Sequence, residues 1–145
     1  MFSAREKMMS FDQIPTGEKA EGASVITNDA VNMELLSTFE ELQPADGSDL
    51  IVELIDLYLV DAAHRVSQIR EAAIAAEWVS LKKAVHSLKG GSANLGILHV
   101  AAICEKLERL DSRDWQTVAV LVQLLEYESA RAAEALAAVR QRRLD

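Results

Sequence analysis

From Asn32 to the C-terminus, apolar positions recur at three- and four-residue intervals almost without a gap, a period that predicts helix throughout. Leu35, Leu36, Phe39 and Leu42 mark a short helix that Asn32 caps and Pro44 ends. Asp46-Gly47-Ser48 supplies a turn and cap. A long helix is then expected from about 49 to 76, with Leu50, Leu54, Tyr58, Ala62, Val66, Ile69 and Ala73 inward. A break at Glu77-Trp78 starts the next helix, whose buried stripe is Leu81, Val85, Leu88, Ser92 and Leu95. Gly96 suits the left-handed residue that closes it. Ala101, Ala102, Cys104 and Leu107 are the packing residues of a fourth element over 98–110. Asp111-Ser112 punctuates, and a last helix carries Trp115, Val118, Leu121, Val122, Leu125, Ala132 and Leu136. Arg140, Arg142 and Arg143 near its end complement the helix dipole and need no further role. With no strand pattern and no internal repeat, the expected fold is all-α. It is an antiparallel up-down-up-down four-helix bundle, one end capped by the short N-terminal helix.

Residues 1–28 lack this period. Met1, Phe2, Met8, Met9 and Phe11 are scattered, and Pro15, Gly17 and Gly22 interrupt any pattern. A flexible leader or interdomain linker is expected there, with the bundle over 29–145. Its apolar residues leave open docking on the bundle or on a partner.

Composition narrows the function. Half of the 145 residues are hydrophobic, enough for one core. A net charge of −8 argues against nucleic acid as a partner, because phosphate backbones call for clustered Lys and Arg. The single cysteine, Cys104, has no internal disulfide partner and falls in an apolar stripe, where it reads as a small core residue of a reducing compartment. No run approaches the roughly 20 apolar residues of a membrane span, and the first residues lack a signal peptide's apolar stretch. The expectation is a cytoplasmic chain without membrane insertion.

The polar face of the third predicted helix carries the chemistry. At about 100° per residue, His86, Lys89 and Gly90 share that face, with Lys82, Lys83 and Ala93 around them. Gly90 and Gly91 each cost roughly 1 kcal/mol relative to alanine inside a helix, so backbone near the imidazole is kept bare for a reason. His64 and His99 lack such neighbours and read as ordinary histidines. No two of the three histidines stand at i,i+3 or i,i+4, so no metal site is predicted. The Ser92 hydroxyl is expected to bond a backbone carbonyl one turn earlier, and Asn94 to help close the helix. Tyr58 and Trp115 read as core or bundle-edge aromatics.

The pattern H-x-x-K-G-x-S-x-x-x-G, formed by His86, Lys89, Gly90, Ser92 and Gly96, resembles the signature of histidine-containing phosphotransfer domains. Leu98, Cys104, Leu107 and Glu108 continue the likeness downstream, Leu50 to Leu59 extend it upstream, and Glu77-Trp78 takes an acidic-aromatic position common in that family. The resemblance spans about residues 32 to 139. It implies that His86 accepts a phosphoryl group from a receiver-domain aspartate and passes it to another receiver. A neutral imidazole near pH 7 offers a lone pair for that step. Lys89 would offset the phosphoryl charge, Lys82 and Lys83 would add to the field, and Gly90 would let a second protein approach. Ser92 and Gly96 support the motif.

No acidic cluster is apparent around His86 in the sequence, so Mg²⁺ is expected to come with the receiver and no cofactor with this chain. The implied partners are response-regulator receiver domains and a hybrid sensor kinase, and the chain is expected to be a monomer. Met1 leans toward a free-standing shuttle, although the tail of a hybrid kinase stays open. The alternative is a helical adaptor that docks on receivers without being phosphorylated. An autokinase is excluded because no Gly-rich ATP-binding motif exists, so the expectation is a phosphocarrier rather than an enzyme.

Overall fold

The computed structural model describes residues 30–42, 49–111 and 113–145. The 1–28 leader, Pro44, the 46–48 turn and Ser112 lie outside the described residues. The elements are α1 (Met33–Ser37), continued by a 3-10 turn over Thr38–Leu42, then α2 (Leu50–Ala75), α3 (Trp78–Asn94), α4 (Leu98–Arg109) and α5 (Trp115–Leu144). Contacts run α2 to α3, α3 to α4, α4 to α5 and α5 back to α2, closing a ring of four helices. Short connections make neighbours antiparallel, so the up-down-up-down bundle holds. No described helix is long and apolar enough to cross a membrane.

Each helix boundary has a local cause. Asn32 caps α1 through its side chain on Leu35 N–H, as its position predicts. The Asp49 carboxylate accepts from the N–H groups of Ile51 and Val52 at the start of α2. At the far end, Glu77 N–H donates to Ala72 C=O and Ala76 N–H to Ala73 C=O, a Schellman closure with Ala76 left-handed at φ 56°. The same closure ends α3, with Ile97 N–H on Ser92 C=O, Gly96 N–H on Ala93 C=O, and Gly96 at φ 74°. A Cβ on Gly96 would also lie 2.8 Å from Asn32 Cβ, in a turn where Asn32 N–H donates to Gly96 C=O. This bond seats the α1 segment over the α3–α4 end of the bundle, and Leu36 is buried there.

The core departs from the expected stripes most in two helices, while Trp115 and Leu121 of α5 are half-buried and Leu42 is exposed. In α2 the buried residues are Ile51, Val52, Ile55, Tyr58, Ala62, Ile69 and Ala72. Leu50, Leu54, Val66 and Ala73 are half-buried. A helix flanked by both α3 and α5 buries a broad sector centred between them, not one line of residues. In α4, Val100, Ile103, Cys104 and Leu107 are buried while Ala102 is exposed. Large residues took the inward positions that small ones were expected to fill. The α3 stripe is as predicted, with Leu81, Val85, Leu88, Ser92 and Leu95 all buried.

The C-terminal arginines do more than face the dipole. Arg140 Nε donates to Asp56 Oδ1 at 2.6 Å and Arg143 Nε to Asp49 Oδ2 at 2.7 Å, clamping the last turns of α5 to the first turns of α2. Their spacing placed them on the face turned toward α2, and two aspartates meet them there.

A non-glycine residue in the left-handed region costs roughly 1 kcal/mol. Ala76→Gly is therefore expected to raise unfolding free energy by about that amount, measured as a higher denaturation midpoint in urea at unchanged slope.

Candidate functional site

The inward stripe of α3 fixes which of its residues face out. With Val85 and Leu88 sealed in the core, His86 is left on the surface, its side chain 72% exposed. Gly90 lies one turn on, also exposed, and a Cβ built there or on Gly91 meets nothing within 4 Å. Backbone is thus bare beside the imidazole, as the glycine pair suggests.

The last turn of α4 comes level with this face and brings the acidic groups that the sequence pattern did not place there. His86 Nδ1 lies 2.5 Å from Glu108 Oε2. Lys89 Nζ donates to Glu108 Oε1 and, at 3.3 Å, to Glu105 Oε1. Arg109 Nε donates to Glu105 Oε2 at 2.6 Å. The reading of no acidic cluster near His86 is therefore corrected: two glutamates stand beside it, one helical turn apart on α4. Because i and i+3 positions share a face, Lys89 is near the histidine, but its long side chain is drawn toward α4. Hydrogen bonds from Lys89 and then His86 hold the Glu108 carboxyl below its ordinary pKa. The bonds to Glu108 and Glu105 in turn hold the Lys89 ammonium above its own.

Lys82 and Lys83 part company. Lys82 Nζ donates to the C=O groups of Glu108 and Leu110 at 2.5 and 2.6 Å, capping α4, and lies 4.9 Å from the Trp78 ring centroid. It acts on the end of α4, since α4 stops where Lys82 can reach its free carbonyls. Lys83 is exposed on the groove that His86 also lines. Trp78 meets Trp115 edge-on at 5.5 Å, so Trp115 is the bundle-edge aromatic it was read to be.

Ser92 corrects a second expectation. Its hydroxyl is hydrogen-bonded to the Tyr58 hydroxyl at 2.8 Å across α2 and α3, and not to a carbonyl of its own helix. A phenol buried in a core needs a polar partner, and Ser92 is the polar residue in the facing stripe. Burial pushes the Tyr58 pKa up to about 12. Cys104 is buried nearby, its thiol likewise raised to about 12 by desolvation, which suits packing rather than nucleophilic work. His64 is exposed on α2, and His99 Nδ1 lies 3.5 Å from Glu128 Oε1. Among the described residues no group of three or more His, Cys, Asp or Glu side chains is placed to hold a metal ion.

An exposed helical histidine with bare backbone beside it, in a four-helix bundle, matches a known family by sequence as well. The Hpt domain model matches residues 53–142. The chain belongs to the Hpt family. It is also similar to the crystal structure of histidine-containing phosphotransfer protein B (HptB) from Pseudomonas aeruginosa PAO1, at 26% identity and a TM-score of 0.70. That similarity covers 78% of this chain and 96% of the other. No curated protein matches the chain.

Membership places the protein in phosphotransfer within two-component signalling, where Hpt domains interact with response-regulator receiver domains. In this Hpt domain the motif residues divide by position. His86, Lys89 and Gly90 lie together on the outer face, while Ser92 and Gly96 are buried and serve the helix and its end. Glu105 and the contact role of Glu108 were missed. Glu108 stood in the sequence only as a motif residue, and nothing local says that α4 aligns it with His86.

Lys89 is the first cause of the lowered Glu108 pKa. In Lys89→Ala the Glu108 carboxyl is expected to titrate at higher pH, toward the ordinary glutamate range, as read by carboxyl-carbon NMR across pH 2–7. Since a depressed carboxylate loses its stabilising contacts as pH falls through its folded pKa, the His86–Glu108 contact should survive to lower pH in the wild type than in the variant.

Proposed function

We propose that His86 is the phosphoryl acceptor of this domain, taking the group from a receiver aspartate and passing it to the aspartate of another receiver. The observation that carries the reading is an exposed imidazole whose Nδ1 faces a carboxylate. A carboxylate accepts, so the ring proton resides on Nδ1 and the lone pair on Nε2. Nε2 attacks phosphorus in line, and the bond from phosphorus to the aspartyl oxygen breaks. The electron pair leaves with the carboxylate. The ring becomes cationic, and Glu108, already hydrogen-bonded to Nδ1–H, offsets that charge. Reversal onto a second receiver restores the neutral ring. Positioning and charge do the work of such a transfer.

Lys89, tied to two carboxylates, acts in this reading through Glu108, by holding it against His86. Glu105 and Glu108 are each engaged by cations of this chain and so do not make a ready metal set. Mg²⁺ is accordingly assigned to the receiver. Gly90 and Gly91 provide the level surface on which a receiver closes.

A phosphorylated receiver mixed with the wild-type chain is expected to label it, and His86→Gln is expected to take no label while keeping its helical circular dichroism. Binding of the receiver without labelling of the wild type would support a docking adaptor instead. Gly90→Leu fills open space, so its melting temperature should hold or rise. Its transfer rate should fall roughly tenfold, the equivalent of about 1.4 kcal/mol lost at docking. An unchanged rate in stopped transfer assays would remove the steric role of Gly90.

A further inference from the structure

With Nδ1 of His86 taken by Glu108 on α4, Nε2 lies on the opposite edge of the ring, turned away from α4. His86 also borders the groove between α3 and α2, about 770 Å³, together with Lys83 and, from α2, Arg65 and Gln68. The Tyr58–Ser92 hydrogen bond sets the register of these antiparallel helices. Two turns further along α2 comes Arg65, and two turns back along α3 comes Val85, so Arg65 stands level with His86 across the groove. Packed helices run about 8–10 Å apart, a span an arginine side chain reaches across.

Arg65 is under-used where it sits. Its side chain is only 33% exposed, and Nη1 donates to Gln68 Oε1 at 3.1 Å. Nε is 3.5 Å from Asp61 Oδ1 as an ion pair, yet it is buried and has no hydrogen-bond partner. A guanidinium carries donors in a fork that fits phosphoryl oxygens two at a time. Lys89, the cation the motif offers, is already neutralised by Glu105 and Glu108. We propose that Arg65 is the residue that holds the phosphoryl group once it sits on Nε2 of His86, an inference that rests on His86 being the acceptor. Swung toward the ring, the guanidinium gives its Nε the acceptor it lacks and offsets charge on the side of the ring away from Glu108.

The test reads the phosphoryl group directly. The full chain is phosphorylated with phosphoramidate or a phosphorylated receiver, and the ³¹P resonance is followed across pH. Charged groups around the groove and the ring are Arg65, Asp61 and Glu71 of α2, Glu77 before α3, Lys82, Lys83 and Lys89 of α3, and Glu105, Glu108 and Arg109 of α4. Only Arg65 is changed. A nearby cation favours the dianion, so in Arg65→Gln the phosphoryl titration midpoint is expected to rise by about half a unit or more, with Arg65→Lys recovering part of the shift. Coincident midpoints in wild type and Arg65→Gln would overturn the proposal while leaving His86 as acceptor. Slower receiver transfer with coincident midpoints would make Arg65 a docking contact and overturn it equally. If neither donor labels the wild type at His86, with His86→Gln as control, the acceptor reading fails and takes this proposal with it.

Discussion

The Glu108 carboxylate is the joint on which the site turns. One oxygen meets His86 Nδ1 and the other accepts from Lys89, so a single side chain ties the imidazole and the ammonium to the same point on α4. The pairs are half-exposed, and exposed ion pairs contribute little to stability. Their consequence is orientation: the ring is held at one edge and open at the other. A freely rotating histidine on the same helix would present either nitrogen to a partner. This one presents Nε2.

That joint requires α3 and α4 to stand in one register, and several otherwise separate features enforce it. Gly96 closes α3 in a left-handed conformation, and the adjoining turn is pinned by Asn32 N–H. At the opposite end Lys82 gathers the last carbonyls of α4, including that of Glu108 itself. Lys82 in turn lies over Trp78, which is braced edge-on by Trp115 at the start of α5. Glu108 is therefore fixed through its backbone by one lysine of α3 and through its side chain by another.

What the sequence made legible follows the range of each interaction. Periodicity alone located the α3 stripe, and since Val85 and Leu88 must be inside, His86 must be outside. The caps at Asn32 and Gly96 are local and were equally readable. Partners across helices were not, because they depend on rotations that a hydrophobic stripe fixes only to within a residue or so. Ser92 found Tyr58, Lys82 found the end of α4, and Arg140 and Arg143 found Asp56 and Asp49, none of which lies near in the chain. Ala76 escaped notice for a different reason: it takes a glycine's conformation without being glycine.

The two flanks of His86 present different groups, and this follows from which helix lies on each side. Toward α4 stand Glu105 and Glu108; toward α2 the groove gathers Arg65, Lys82 and Lys83 against Glu71 and Glu77. A chain of net charge −8 thus still sets cations along the groove beside the ring, Arg65 among them paired with Asp61. In the proposed transfer, the carboxylate beside Nδ1 leaves Nε2 for the incoming group. That arrangement would be lost if the ring were rotated by half a turn. Orientation of one imidazole, set by a carboxylate on the next helix, is what the proposed transfer depends on.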